Sequence, residues 1–180
     1  RWRRLGAVLI LGAFLTTCGF LTGLPEETTV AERIAAMPQT GIPVSAPVTI
    51  YWNKHLVPFI EARTDKDLAV ALGVVHAHLR LAQIEALRHA SQGRLSEMVG
   101  PLGVKIDGAL RRMDFGRASP EIVAAMPKDT REWLDGFLTG VNHVIANLDE
   151  PPHELKVLNI SPKPFTAEDI VTMGRLASAD

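Results

Sequence analysis

The spacing of apolar and polar residues predicts a short β-hairpin followed by helices. Residues 48–52 are mostly β-branched and aromatic, which favours a strand. A second extended run, residues 56–62, follows a turn. It contains Pro58, which cannot donate to a β-ladder, so we expect it at an edge or leaving the sheet early. The pattern therefore predicts a hairpin at the start of the folded region.

A long helix is predicted behind residues 64–67, where Thr-Asp-Lys-Asp forms a capping signature. Apolar residues then recur at helical spacing to about Ser91. The positions predicted to face the core are Leu68, Leu72, Val75 and Leu79.

Three further helices are indicated. Ser119 is expected to cap a short helix that has Pro120 in its first turn. Another helix begins near Asp129, and its predicted apolar face is Trp133, Phe137, Val141, Val144 and Leu148. Gly136 and Gly140, four residues apart, leave one flank of that helix bare, so another backbone can approach closely. Residues 166–169 form a second capping signature, which opens a final helix through Ile170, Met173 and Ala177.

The N-terminal segment, residues 1–24, has a different character. Three arginines precede residues 5–24, which carry no charge and are about long enough to cross a bilayer. The segment is interpreted as an uncleaved membrane anchor or a retained signal sequence. In both cases the remainder of the chain is exported. Residues 25–47 are rich in Pro, Thr, Ala and Gly and are predicted to be a linker with one or two helical turns.

Composition excludes several classes of function. The formal net charge of −1 provides no basic field for nucleic acid. Cys18 is the single cysteine, so neither an internal disulfide nor a cysteine zinc site can form. The hydrophobic fraction of 47% is typical of a globular protein.

No nucleophile motif or phosphate-binding glycine loop is present in the sequence. His76 and His78 would share a metal on a strand, but on a helix they point in different directions. Glu85 and His89 are spaced for a metal, although an ordinary surface contact is the simpler interpretation. The arginines of this region are expected to pair with nearby acids rather than to clamp a carboxylate ligand; they are Arg80, Arg88, Arg111 and Arg112.

Several short segments, in order, resemble the N-terminal (α) subunit of the penicillin acylase family. Residues 57–62 are similar to the family's Pro-His-Ile-x-Ala, and residues 73–85 to its Gly-Tyr then Ala-Gln-Asp-Arg-Leu-x-Gln-Met-Glu. The resemblance continues in register at Arg88, residues 92–97, Asp107 with Arg111 and Arg112, residues 140–142 (Gly-Val-Asn) and residues 162–169. The chain departs from the family pattern at Leu56, His78, Leu79 and Phe165.

The resemblance implies an α+β fold, the four-layer αββα fold of N-terminal-nucleophile hydrolases, over residues 48–180 and completed by a large β-subunit. This chain would supply mostly helices and the hairpin. It implies that one precursor cuts itself and that the new N-terminal serine of the larger chain attacks a linear amide. No catalytic residue then lies in this chain, and its last helix lines the acyl pocket through Ser178, Gly174 and Arg175. The family's calcium would be bound mainly by the β-subunit, and this chain offers no metal ligand.

Two interpretations of function remain. The first is an acylase on the outer side of the bacterial cytoplasmic membrane, acting on acyl-homoserine lactones, penicillin-like amides, or aryl amides and ureas. The second is a membrane-tethered binding or assembly protein that kept the fold and lost activity.

Overall fold

The structure is a computed structural model that describes residues 28–179. The anchor or signal sequence predicted at residues 1–24 lies outside the described residues, as does Asp180. None of the helices within residues 28–179 has the length and apolarity needed to cross a membrane.

Helices dominate the described region, and a two-stranded antiparallel sheet precedes the long ones. The strands are β1 (Thr49–Trp52) and β2 (Pro58–Glu61). The helices are α1 (Val30–Ala35), α2 (Asp65–Ser91), α3 (Ser96–Val99), α4 (Val104–Met113), α5 (Ser119–Ala124), α6 (Lys128–Ala146), α7 (His153–Val157) and α8 (Ala167–Ala177). A 3-10 turn, Gly100–Gly103, joins α3 to α4. The hairpin, the long α2 and the final helix are therefore confirmed.

The hairpin has an apolar side chain on each face. Ile50 pairs with Ile60, and both are half-buried, whereas Tyr51 pairs with Phe59 and both are exposed. Pro58 pairs with Trp52 at the first position of β2, where a missing N–H is tolerated. A two-stranded sheet with apolar residues on both faces is incomplete as a folding unit.

The core forms where α2 packs against α6. A Cβ added to Gly140 would lie 2.0 Å from the carbonyl oxygen of Val70, and one added to Gly73 would lie 2.1 Å from that of Phe137. Glycine on each helix thus allows the two backbones to approach more closely than any larger residue permits. The close approach predicted from Gly136 and Gly140 is confirmed.

The buried face of α2 differs from the prediction. Leu68, Leu72 and Leu79 are only half-buried, and of the four predicted positions Val75 alone is buried. The positions that form the core are Val70, Val74, Ala77 and Leu81. Where Gly73 and Gly140 bring the helices together, the residues of α2 that face α6 are valine, alanine and glycine, so Leu68, Leu72 and Leu79 lie on the flanks.

The buried face of α6 is shifted in the same way. Val141 and Val144 are buried as predicted, but Trp133 is 40% exposed and Phe137 is half-buried. Leu134 and Leu138 occupy the inner positions instead. The ring of Trp133 stacks on that of Phe137, with centroids 6.1 Å apart and planes within 5°.

The predicted cap of α2 is half correct. Thr64 Oγ1 accepts a hydrogen bond from the Asp67 N–H at 3.0 Å. The Asp67 carboxylate does not close the capping box; it accepts from the N–H and the hydroxyl of Ser45, both at 2.7 Å. These bonds lower the pKa of Asp67 and fasten the predicted linker to the start of α2.

Candidate functional site

The proposed pocket residues lie on α8, which begins with a complete capping box. Thr166 Oγ1 accepts from the Asp169 N–H at 3.2 Å, and the Asp169 carboxylate accepts from the Thr166 N–H at 3.0 Å. This confirms the second capping signature. One face of the helix is inserted into the protein, with Ala167, Thr172 and Met173 buried.

The opposite face of α8 is open. Gly174 is exposed, and a Cβ added there would meet no atom within 4 Å. Ser178, one turn later and also exposed, donates its hydroxyl to the Gly174 carbonyl at 2.8 Å. The structure therefore brings Gly174 and Ser178 together on one accessible strip of the helix.

Arg175 takes a different direction. Its guanidinium donates to the carbonyl of Phe115 in the loop between α4 and α5, and the side chain is half-buried. In this conformation Arg175 anchors α8 to that loop and does not share the open strip.

The segment preceding α8 is held by Asn142 of α6. The Asn142 amide donates to the Phe165 carbonyl at 2.9 Å and accepts from the Phe165 N–H at 2.7 Å. One side chain thereby satisfies both backbone polar groups of a residue that is only 3% exposed. The asparagine of the Gly-Val-Asn motif thus fixes the segment that leads into α8.

A buried ionic cluster holds the same segment from the α2 side. Arg88, 5% exposed, donates to both carboxylate oxygens of Glu85 at 2.8 and 2.6 Å. It also donates to the Pro164 carbonyl at 3.2 Å and lies 3.9 Å above the ring of Phe165. Its Nη1 is 3.6 Å from the carboxylate of Asp169. Arg88 therefore connects α2 to the first turn of α8 through charge, hydrogen bonds and a cation–π contact.

The prediction of a surface contact between Glu85 and His89 is wrong. Glu85 is 1% exposed and His89 is 3% exposed. The His89 Nδ1 lies 2.9 Å from the Glu85 carbonyl oxygen, while the Glu85 carboxylate is taken by Arg88. Both residues are buried because Pro164, Phe165 and the first turn of α8 pack over this end of α2, and the sequence of α2 alone does not indicate this contact.

Of the other predicted ion pairs, one is present and another is replaced by a hydrogen bond to the backbone. Arg88 pairs with Glu85 as expected, but Arg111 donates its Nε to the Gly93 carbonyl at 2.7 Å. The Asp107 carboxylate accepts from the N–H groups of Leu95 and Ser96, at 2.7 and 2.8 Å. Burial acts to raise the pKa of Asp107, but these hydrogen bonds prevail and the pKa is lowered.

Ser119 does not cap α5. Ala118 occupies the N-cap position, and Ser119 is buried with its hydroxyl 2.7 Å from that of Thr172 on α8. Thr172 also donates to the Glu168 carbonyl at 2.7 Å. This hydroxyl pair fixes the middle of α8 to α5. The sequence did not predict this contact, because a serine followed by proline is also the usual pattern at the start of a helix.

The histidine pair lies on a helix, as expected. His78 Nε2 is 2.7 Å from the Arg33 carbonyl oxygen of α1. His76 packs edge-on against Phe137, with centroids 5.5 Å apart, and desolvation lowers its pKa. Within residues 28–179, no three His, Cys, Asp or Glu side chains converge to hold a metal ion.

Comparison with known proteins identifies the scaffold. The sequence profile of the penicillin amidase family matches residues 47–180. The chain belongs to this family. The resemblance noted from the sequence words is thereby confirmed.

Individual relatives agree. An acyl-homoserine lactone acylase, QuiP of Pseudomonas syringae pv. tomato, is 28% identical over 167 residues, which are 92% of this chain and 20% of that protein. The penicillin acylase 2 proenzyme of Pseudomonas sp. strain SE83 is 31% identical over 134 residues, 74% of this chain and 17% of that protein. The chain thus spans about a fifth of the length of these relatives.

A solved structure supports the fold. The thermostable penicillin G acylase from Alcaligenes faecalis superimposes with a TM-score of 0.62 at 24% identity, over 74% of this chain and 76% of that chain. The predicted fold class, mostly helical here with a short hairpin near the start of the folded part, is confirmed.

Proposed function

We propose that this chain is the small subunit of a self-processing amide hydrolase, paired with a larger chain from the same precursor. One comparison carries the proposal. The chain covers only 20% of a full-length relative but 76% of a single chain of a solved penicillin G acylase. A separate chain of about this size therefore exists within the family. One relative is also named a proenzyme, which agrees with processing.

The proposed reaction begins at the N-terminal serine of the larger chain. Its hydroxyl attacks the amide carbonyl while its own α-amine accepts the proton through a water molecule. An oxyanion hole in the larger chain stabilises the tetrahedral intermediate. The amine departs, an acyl-enzyme remains, and water releases the acid. The family's structural calcium would be bound mainly by that chain as well.

The role proposed for this chain is to shape the acyl pocket. Gly174 and Ser178 form an accessible strip without bulk, which leaves room for an acyl group. Arg175, tied to the Phe115 carbonyl, borders the strip and holds it in place.

Exposed aromatic surface favours a second chain. Phe59 is 63% exposed and Tyr51 is 54% exposed on the outer face of the hairpin, and Trp133 is partly exposed on α6. Apolar surface of this kind marks a site of association. In the proposed enzyme the larger chain covers it.

The substrate proposed is a linear amide with a hydrophobic acyl group. An N-acyl-homoserine lactone is the first choice, because QuiP relatives from several Pseudomonas strains are named acyl-homoserine lactone acylases. Penicillin-like amides and aryl amides or ureas are the alternatives. We further propose that residues 1–24 tether the enzyme to the cytoplasmic membrane, with the catalytic part on its outer side. Deleting residues 1–24 should then reduce turnover of membrane-partitioned substrates, and unchanged turnover would refute the tether.

The test uses the intact gene product. Mass spectrometry should find two chains, the larger one opening on serine, and the purified protein should hydrolyse acyl-amides from a panel that differs in acyl length. A single unprocessed chain without turnover would instead favour the binding or assembly protein.

The pocket assignment is tested separately. Gly174→Leu should reduce kcat/KM for long acyl groups more than for short ones, because the side chain fills the open strip. Gly108→Leu on α4 is the matched control; there the nearest atom to an added Cβ is Arg112 Nη1 at 3.9 Å. Equal effects of the two substitutions on every substrate would remove α8 from the pocket.

A further inference from the structure

We propose that Asn142 and Arg88 are positioning residues that set acyl-group selectivity by fixing the orientation of α8. The inference rests on the proposed function, because it requires the open strip of α8 to face the substrate. Neither side chain touches that strip; both act on the segment that leads into the helix.

Asn142 fixes the orientation of the backbone at Phe165 through two hydrogen bonds, which a single bond would not do. Its amide bonds both the N–H and the carbonyl of Phe165, at 2.7 and 2.9 Å, so the peptide planes on both sides of Phe165 are fixed relative to α6. Thr166, the N-cap of α8, is the next residue. The hydrogen bonds at Phe165 therefore set the direction in which the axis of α8 begins.

Arg88 fixes the same point from α2. It contacts the Pro164 carbonyl, the Phe165 ring and the Asp169 carboxylate, while Glu85 holds its guanidinium in place. Gln92 adds a hydrogen bond to Asp169 at 2.8 Å. The first turn of α8 is consequently held between the two long core helices.

The middle of α8 has its own attachment, the hydroxyl pair of Thr172 and Ser119. If the N-terminal hold is lost, α8 remains attached through this pair and the adjacent Arg175–Phe115 contact, and it can tilt about them. Ser178 lies six residues beyond Thr172, about 9 Å along the axis at roughly 1.5 Å per residue. A tilt of roughly 6° then moves Ser178 by about 1 Å, and a displacement of about 1 Å at a reacting site can cost on the order of 100-fold in rate.

The decisive experiment compares Asn142→Ala and Arg88→Lys with Asp107→Ala in the intact protein. Asp107 is the matched control because it also bonds two backbone groups, at 2.7 and 2.8 Å, and these belong to Leu95 and Ser96, away from α8. Two substrates with the same amine and different acyl groups are assayed. Their ratio of kcat/KM should change by about tenfold in Asn142→Ala and Arg88→Lys, less than the 100-fold above because the displaced strip contacts the acyl group and not the reacting carbonyl. It should stay constant in Asp107→Ala, because general destabilisation lowers both rates equally.

Hydrogen exchange of residues 166–178 supplies a readout that needs no turnover. We expect faster exchange there in Asn142→Ala and Arg88→Lys and unchanged exchange in Asp107→Ala. If the exchange rates across α8 in Asn142→Ala equal those of the wild-type protein, the inference is overturned. If exchange is faster but the ratio of kcat/KM for the two substrates is unchanged, these residues hold α8 but do not set acyl-group selectivity. An intact protein that hydrolyses no amide would reject the proposed function, and the exchange experiment would still decide whether these residues hold α8.

Discussion

Replacing Gly140 with alanine tests the idea that close backbone contact defines the core. The added Cβ would lie 2.0 Å from the Val70 oxygen and 2.8 Å from the Val74 nitrogen. Both atoms belong to the backbone of α2, so neither can rotate away as a side chain can. To restore a contact of 3.0 Å, the two helices must separate by roughly 1 Å at this crossing.

Two opposing effects determine the result. Alanine in a helix interior is more favourable than glycine by about 1 kcal/mol. Inserting a methyl group into a filled core costs about 1–3 kcal/mol, occasionally more. Since the obstacle is backbone and its neighbours Val74 and Val141 are each 1% exposed, the upper part of that range applies. Gly140→Ala should therefore destabilise the protein by about 2 kcal/mol.

Gly108→Ala is the control, because its Cβ would meet only Arg112 Nη1 at 3.9 Å. It should be neutral or more stable than wild type by up to about 1 kcal/mol. The thermal midpoint of the intact protein, followed by circular dichroism, together with the soluble yield, should rank Gly108→Ala at or above wild type and Gly140→Ala lowest. If Gly140→Ala melts at or above Gly108→Ala, the close-contact argument is refuted.

Two further predictions concern polar contacts. Ser119→Ala and Thr172→Val should show a coupling of about 0.5–1.5 kcal/mol in a double-mutant cycle measured by denaturation, and additive effects would contradict the hydroxyl pair. The hydrogen bonds that Ser45 donates to Asp67 lower the pKa of Asp67 from its ordinary value of 3.8. The ionised form thus stabilises the fold above that value, and the benefit is lost as the pH falls through the lower folded pKa. Asp67→Asn should lower the thermal midpoint at pH 7 and make a smaller difference near pH 3; a difference that is the same at both pH values would argue against hydrogen bonds that depend on the ionised carboxylate.

Local signals in the sequence predicted local structure well. The two capping signatures place the starts of α2 and α8, and the end of α2 at Ser91 agrees with the periodicity. These features depend on a few adjacent residues, whose side chains bond backbone groups three positions away. A single sequence contains all the information that such a contact requires.

Burial could not be predicted in the same way, because a second element decides it. Because leucine is more hydrophobic than alanine, the sequence pattern predicts Leu72, and not Ala77, in the core of α2. Gly140 on α6 reverses this order by bringing the helices together, which selects for small residues at the interface. Ser119 illustrates the same limit, since its partner Thr172 is far away in the sequence.

Several of the sequence segments that resemble the family contact one another in the structure. Asn142 of Gly-Val-Asn bonds Phe165 of the segment before α8, and Arg88 contacts Pro164 and Asp169 of that segment. Each contact satisfies buried backbone or charged groups, so a change on one side leaves a costly unpaired group on the other. Gly174, which faces open space, carries no such constraint. Segments that resemble the family therefore hold the start of α8 in place, whereas a change at Gly174 on the open side of α8 leaves no such group unpaired.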